Sequence, residues 1–277
     1  MPAQPELPLR PMTLGELLDA AVSLLRRRAL LLLCAAAVLA TAEQLVLAPL
    51  REAAGLSPPY YWPAGDAGAW AALSALGFAM EATIIALLGS LAAAAAVPAL
   101  LGRAVRDRAL WRSTRPFATV VTAILAGGAC GVAAIAGFLP WILVYPIVGL
   151  AIPALVIDRA GNPFSALARS VRLSSRAGLR ACWIRLAAYL SWFAIRFALG
   201  TGWITVMQSF TGASPDWSLR VVPVGWVLAN TVAYAALACV DAVLLVETRI
   251  RSEGLDIAIS RARSRGEDDA AVLVLQP

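Results

Sequence analysis

Six stretches of almost unbroken apolar residues divide the chain: 29–50, 70–101, 117–137, 141–157, 181–208 and 222–246. An α-helix needs about 20 such residues to cross the hydrocarbon core of a bilayer. Backbone amides find no water there, so long apolar runs without strand-like alternation can span only as helices. The fold expected is all-α: a polytopic integral membrane helix bundle, with six transmembrane helices in three hairpins plus interfacial amphipathic helices. The second stretch is long enough to tilt or to project beyond the bilayer. Leu139 and Pro140 are expected to turn the chain between the third and fourth stretches. Hydrophobic residues make up 60% of the chain and charged residues 14%. A soluble domain has about 45–50% and about 25%, so an ordinary water-soluble enzyme is excluded.

The arginines set an orientation. Arg10 and Arg26, Arg27 and Arg28 precede the first stretch. Arg103, Arg106, Arg108, Arg112 and Arg115 lie between the second and third. Arg159, Arg169, Arg172, Arg176 and Arg180 lie between the fourth and fifth, and Arg249, Arg251, Arg261, Arg263 and Arg265 follow the sixth. The opposite side carries only Arg51 and Arg220. The positive-inside rule then puts both termini in the cytoplasm. Tyr60, Tyr61, Trp62 and Trp70 fall where an outer aromatic belt would lie. The expected division is 1–28, a leading cytoplasmic amphipathic helix; 29–250, the six-helix membrane domain; and 251–277, a cytoplasmic polar tail. Within that tail Glu267, Asp268 and Asp269 read as a solvated end. The net charge of +6 therefore reports topology, and no nucleic-acid partner is expected. Arg26, Arg27 and Arg28 followed by Ala40, Thr41 and Ala42 imitate a cleavable signal, but the apolar run continues past Ala42, so an uncleaved helix is expected.

All 23 basic residues are arginine, and there is no histidine. That removes the commonest general base, histidine metal ligation, Schiff-base chemistry and the lysine of a phosphate loop. No GxSxG, glycine-rich phosphate loop or metal-ligand spacing is present. No catalytic residue, cofactor site or metal site is therefore expected. Cys34, Cys130, Cys182 and Cys239 all fall in apolar stretches and read as small hydrophobes in helices.

Short amphipathic helices are expected beside the spans. Thr13 and Glu16 form a capping box after Pro11, and Leu14, Leu17, Leu18, Ala21 and Leu25 make an apolar stripe. Asn162 and Pro163 open a second such helix. Its apolar face is Phe164, Leu167 and Val171, with Ser165, Arg169, Arg172 and Arg176 expected to face away. One constant offset superposes Leu18, Val22, Leu24 and Arg27 on Leu167, Val171, Leu173 and Arg176. That suggests a threefold repeat of surface helix plus hairpin. The third unit would begin in the basic but poorly patterned segment 103–115.

Three segments carry a family resemblance. Arg10, Pro11, Met12, Thr13, Leu14, Gly15, Glu16, Leu17, Leu18 and Asp19 resemble the opening of actinobacterial members of the glycerophosphoryl diester phosphodiesterase membrane domain family. The run Ile152, Pro153, Ala154, Leu155, Val156, Ile157, then Pro163 and Phe164, is similar to a second family segment. So is the exit Glu247, Thr248, Arg249, Ile250, Arg251, Ser252, Glu253, Gly254, Leu255 and Asp256. The resemblance implies a membrane architecture, not an activity. The family's catalytic barrel uses a histidine pair and metal-binding carboxylates, and this sequence has no histidine.

Ionisable residues inside a membrane are costly, so each is a candidate for function. Glu43, Glu81, Arg196 and Asp241 lie within the spans, Arg185 near the inner interface, and Asn230 on the sixth span. Arg185 and Arg196 are eleven residues apart, which at about 100° per residue returns to one helix face. Tyr189, Trp192 and Trp203 extend that stripe. Counting depth predicts an Arg185–Asp241 pair and a deeper Arg196 cluster with Glu43, Glu81 and Asn230. Glu43 is the first choice of partner for Arg196 and Glu81 the second. Gly127 and Gly131 form a GxxxG that marks close packing, within the bundle or across a dimer.

Two functional readings follow. The first is a non-enzymatic membrane scaffold or accessory subunit of a membrane complex. Its surface helices and arginine-rich face would meet anionic lipid, a membrane-protein partner or a second copy. The second is a small transporter or lipid-handling protein that uses the buried Glu/Arg cluster. A scaffold predicts a filled bundle. A transporter predicts a cavity lined by Glu43, Glu81 and Arg196.

Overall fold

The computed structural model describes residues 7–56, 66–103, 105–176, 179–212 and 218–274. The described residues contain helices and connecting turns but no strand. In chain order the helices are α1 (Leu14–Arg27), α2 (Ala29–Ala53), α3 (Ala67–Leu101), α4 (Asp107–Ser113), α5 (Pro116–Ile135), α6 (Phe138–Val148), α7 (Ala151–Val156), α8 (Pro163–Ser174), α9 (Arg180–Phe197), α10 (Trp203–Thr211), α11 (Ser218–Glu253) and α12 (Leu255–Arg265). Among the described residues six segments are long and apolar enough to cross a membrane: Ala29–Ala53, Ala67–Leu101, Pro116–Ile135, Phe138–Val156, Arg180–Thr211 and Val221–Glu253. The protein is a multi-pass membrane helix bundle. Tyr60, Tyr61 and Trp62 lie outside the described residues.

Helices α3 and α11 are the most buried spans and form the centre, with α2, α5 and α9 packed around them. The GxxxG works inside the bundle. A Cβ at Gly127 would lie 1.9 Å from Thr83 Oγ1 and 2.6 Å from the Ala79 carbonyl oxygen, and one at Gly131 would lie 2.9 Å from Ala79 Cβ. Glycine is needed there because α5 approaches the α3 backbone too closely for a side chain. Contact at that range recovers dispersion and tight helix association, which burial from lipid alone does not provide. All four cysteines are free.

Short helices precede the hairpins, as α1, α4 and α8. The N-terminus of α1 is capped reciprocally: Glu16 N–H donates to Thr13 Oγ1, and Thr13 N–H to Glu16 Oε2. Its Leu17, Ala20, Ala21 and Leu24 face is buried, and α1 packs on α11. Leu14, expected in the stripe, is exposed instead.

Three expectations change. The turn between the third and fourth spans lies at Gly137, whose φ of 116° suits glycine, and Leu139 and Pro140 are already in the first turn of α6. Arg169 does not face away: it is buried on the inner side of α8 with Ala166, Ser170 and Leu173, while Phe164 and Val171 are exposed. The reason is Asp158. It is fully buried and needs cations, and Arg169 Nε and Arg249 Nη1 approach its two oxygens at 3.0 and 2.8 Å. Third, the C-terminal part is not a free polar tail. Leu255, Ile259, Ala262 and Leu273 are buried, and Arg249 Nη1 donates to the Leu273 carbonyl at 2.8 Å. Asp268 and Asp269 pair with Arg103 at 3.0 and 2.7 Å.

Candidate functional site

The buried polar residues of the spans fall into two layers along α9 and α11. Arg185 and Arg196 are eleven residues apart on one helix, so the layers are separated by about 16 Å.

The layer nearer the arginine-rich end is closed. Arg185 reaches Asp241 through two contacts, Nε to Oδ1 at 2.7 Å and Nη2 to Oδ2 at 3.1 Å. A bidentate guanidinium–carboxylate pair fixes both distance and orientation. Arg185 Nη1 donates to the Tyr145 carbonyl, and the guanidinium lies 3.9 Å from the centre of the Tyr145 ring. Gly149 makes room, since a Cβ there would lie 2.0 Å from Arg185 Nε. The sequence carries no sign of this role for Gly149 until Arg185 is seated against it.

The second layer brings Glu43, Glu81, Arg196 and Asn230 together, with Tyr189 and Tyr234 added. Arg196 is 2% exposed and its Nη2 lies 2.6 Å from Glu81 Oε1. Depth counting favours Glu43; the structure places Glu81 against the guanidinium instead. The remaining oxygen of Glu81 accepts from the Tyr189 hydroxyl at 3.1 Å. Glu43 is held by neutral donors. Asn230 Nδ2 donates at 2.9 Å, and the Tyr234 hydroxyl lies 2.9 Å from both carboxylate oxygens. Arg196 Nη1 reaches Asn230 Oδ1 at 3.5 Å, so the amide bridges the two charged groups. Arg196 Nε has no acceptor among the described residues. The guanidinium also lies 5.3 to 5.8 Å from the ring centres of Tyr189, Phe193 and Tyr234.

Directly after this layer α9 departs from α-helical winding. Ala198–Gly202 forms a π-turn before α10. Gly200 sits beneath the Trp226 indole, with a would-be Cβ 2.6 Å from the ring. Turns of this kind inside helices commonly mark functional positions, because they rotate the side chains that follow.

On the arginine-poor side of the second layer the bundle opens. A cavity of about 270 Å³ runs between α2, α3, α9 and α11 and reaches the start of α6. Its floor is Glu43, Glu81, Arg196, Asn230 and Tyr234. Its walls are Leu47, Trp70, Phe78, Phe138, Phe193, Phe197 and Trp226, with Arg51 and Leu56 further from the floor. A concave, mostly apolar site with a few convergent polar groups is the usual form of a small-molecule pocket. Trp192 and Trp203, expected to extend the polar stripe, do not line it. Among the described residues no three His, Cys, Asp or Glu side chains converge as a metal centre.

Tyr189 is expected on the Arg185–Arg196 face from the sequence, whereas Tyr234 was missed although its spacing gives a signal. Tyr234 is four residues after Asn230, and Tyr189 four before Phe193, so each shares a helix face with its neighbour in the layer. Asp158 gave no such signal, since an acid in a short connecting segment reads as solvated. No family model, curated protein or solved structure matches the chain.

Proposed function

We propose that the protein is a non-enzymatic membrane protein that handles a lipid or similar amphiphile whose polar end enters the cavity above the Glu81–Arg196 layer. The observation that carries this reading is the cavity itself. It is lined by Glu43, Glu81 and Arg196, where a purely structural bundle would be filled. Its polar floor and aromatic walls suit a molecule with one polar end. Under the positive-inside rule the cavity belongs to the outer half of a bacterial plasma membrane, with both termini cytoplasmic. Kinship with the membrane domain of the glycerophosphoryl diester phosphodiesterase family, in an actinobacterial setting, forms part of the same proposal and rests on the three segments quoted above.

Retention of lipid by the purified protein tests the reading. Wild type reconstituted with phosphatidylethanolamine and phosphatidylglycerol, then extracted in mild detergent, is expected to keep one lipid-mass adduct by native mass spectrometry. Ser74→Trp places an indole in the cavity and should lose the adduct. An adduct kept by the variant, or absent from wild type, would overturn the reading.

A scaffold role is the second reading. It is favoured by the interlocked half of the bundle below the cavity, where the buried Asp158, Arg169 and Arg249 form one network that Glu253 joins from the surface. A rigid base with an arginine-rich face and the exposed Phe164 and Val171 of α8 suits anionic lipid, a membrane-protein partner or a second copy.

A further inference from the structure

We propose that the cavity takes a monovalent organic cation with an apolar body, a quaternary or protonated amine on an aryl or alkyl frame, and that Glu43 is its counter-ion. This deepens the reading of the cavity as an amphiphile site and rests on it.

The charge count comes first. The cavity floor holds two carboxylates, Glu43 and Glu81, and one guanidinium, Arg196. Arg196 is committed to Glu81 at 2.6 Å. Among the described residues Glu43 receives only the Asn230 amide and the Tyr234 hydroxyl, both at 2.9 Å. A carboxylate buried at this depth with neutral donors alone lacks the opposite charge that would offset its desolvation. Arg51, the other cation lining the cavity among the described residues, is rooted two turns further along α2, a helical rise of about 12 Å beyond Glu43. A ligand that brings its own positive charge to the floor holds Glu43 in its ionised form and completes the balance.

The walls point the same way. Aromatic rings present a negative face, and a cation enclosed by several of them is held without a formal counter-charge. Trp70, Phe78, Phe138, Phe197 and Trp226 line the cavity above the floor. The protein already uses this chemistry on itself, since the Arg196 guanidinium lies over Phe193 and Tyr234. An anion would meet the surplus carboxylate and the same negative ring faces, with the only guanidinium of the floor among the described residues already engaged.

A charge series on the intact, detergent-solubilised protein tests this. Calorimetric titrations, blanked against empty micelles, would use benzyltrimethylammonium, neutral benzyl alcohol and anionic phenylmethanesulfonate. Wild type should bind the cation saturably at one site and show no saturable heat with the other two. Glu43→Gln keeps an amide oxygen that can accept from Asn230 and Tyr234 while removing the charge, and should weaken cation binding by at least about tenfold. Thermal unfolding of the variant checks that it is folded, and the wild-type series stands without it. Sulfonate or alcohol binding as tightly as the cation would overturn the inference, as would unchanged affinity in Glu43→Gln. If none of the three probes binds wild type, the inference also falls. In each of these cases the amphiphile reading survives only if the lipid adduct is still lost in Ser74→Trp, so the two failures are distinguishable.

Discussion

Arg196 of α9 closes on Glu81 of α3 at 2.6 Å, and the Asn230 side chain then links that pair to Glu43 of α2. Three spans are thereby tied to α11 by one buried layer. Removing one member of a buried pair strands the other charge, which costs about 3–5 kcal/mol, more than replacing both by apolar residues. Arg196→Leu should therefore lower the unfolding temperature strongly. Adding Glu81→Leu should restore part of the loss, while adding Glu43→Leu should restore less. Thermal unfolding of the two double-mutant cycles in detergent gives the coupling energies. Larger coupling to Glu43 than to Glu81 would contradict the arrangement.

Gly149 offers a second test, because its role is purely spatial. Its φ is −65°, so alanine meets no backbone strain. The added methyl would lie 2.0 Å from Arg185 Nε and 2.1 Å from its Cζ. Gly149→Ala should cost about 1–3 kcal/mol, as overpacking does. The same substitution should cost much less when Arg185 and Asp241 are both leucine, because the obstacle is gone. Equal costs in the two backgrounds would mean that Gly149 does not make room for Arg185.

These two residues also show where sequence reasoning stops. The spans were legible because length and apolarity alone decide what can cross a bilayer. The Arg185–Asp241 pair was legible because depth counts along two antiparallel helices nearly coincide. The choice between Glu43 and Glu81 was not, since both acids sit at similar depth and rotation about each helix axis decides which one faces Arg196. Asn230 and Tyr234, one turn apart on α11, supply donors to Glu43 and leave the guanidinium to Glu81. Arg169 was misplaced for a related reason. An arginine on a helix with several others reads as solvated until Asp158 is seen to be fully buried against it. The polar floor of the cavity could be read as a cluster in the sequence, but its aromatic walls could not, because Phe138, Phe197 and Trp226 converge there from three different helices.

The docked C-terminal segment should respond to acid. The Arg103 guanidinium, and next the Ala270 N–H, hold the Asp268 carboxyl below the usual carboxylate range. The sign follows from the lowered value. A carboxyl with a depressed folded-state value lends stability above its unfolded value of about 3.9, and that stability is lost as pH falls through the depressed one. Hydrogen exchange of the Ala271–Leu273 turn should therefore quicken, relative to the intrinsic rate, as pH drops below about 4. Arg103→Ala should quicken it already at neutral pH. Exchange unchanged by that substitution would show that Arg103 does not hold the segment. The Arg249 contact to the Leu273 carbonyl should keep part of the protection in either case.

The orientation can be tested by labelling. Arginine clusters flank the N-terminal end of α2, join α3 to α5, join α7 to α9 and follow α11, all at one end of the bundle. A protein inserts with such segments retained in the cytoplasm. Ion pairing does not erase the bias. Arg28 pairs with Asp107 and Arg103 with Asp268, yet Arg26 and Arg172 remain exposed at the same end. In a background with Cys34, Cys130, Cys182 and Cys239 replaced, Ser264→Cys should resist a membrane-impermeant maleimide in intact cells. It should react once the cells are permeabilised. Ala54→Cys, an exposed position at the far end of α2, should react in intact cells. The reverse pattern would place the arginine-rich end outside and turn the cavity toward the cytoplasm, where a lipid of the inner leaflet, not the outer, would be the molecule that reaches Glu43.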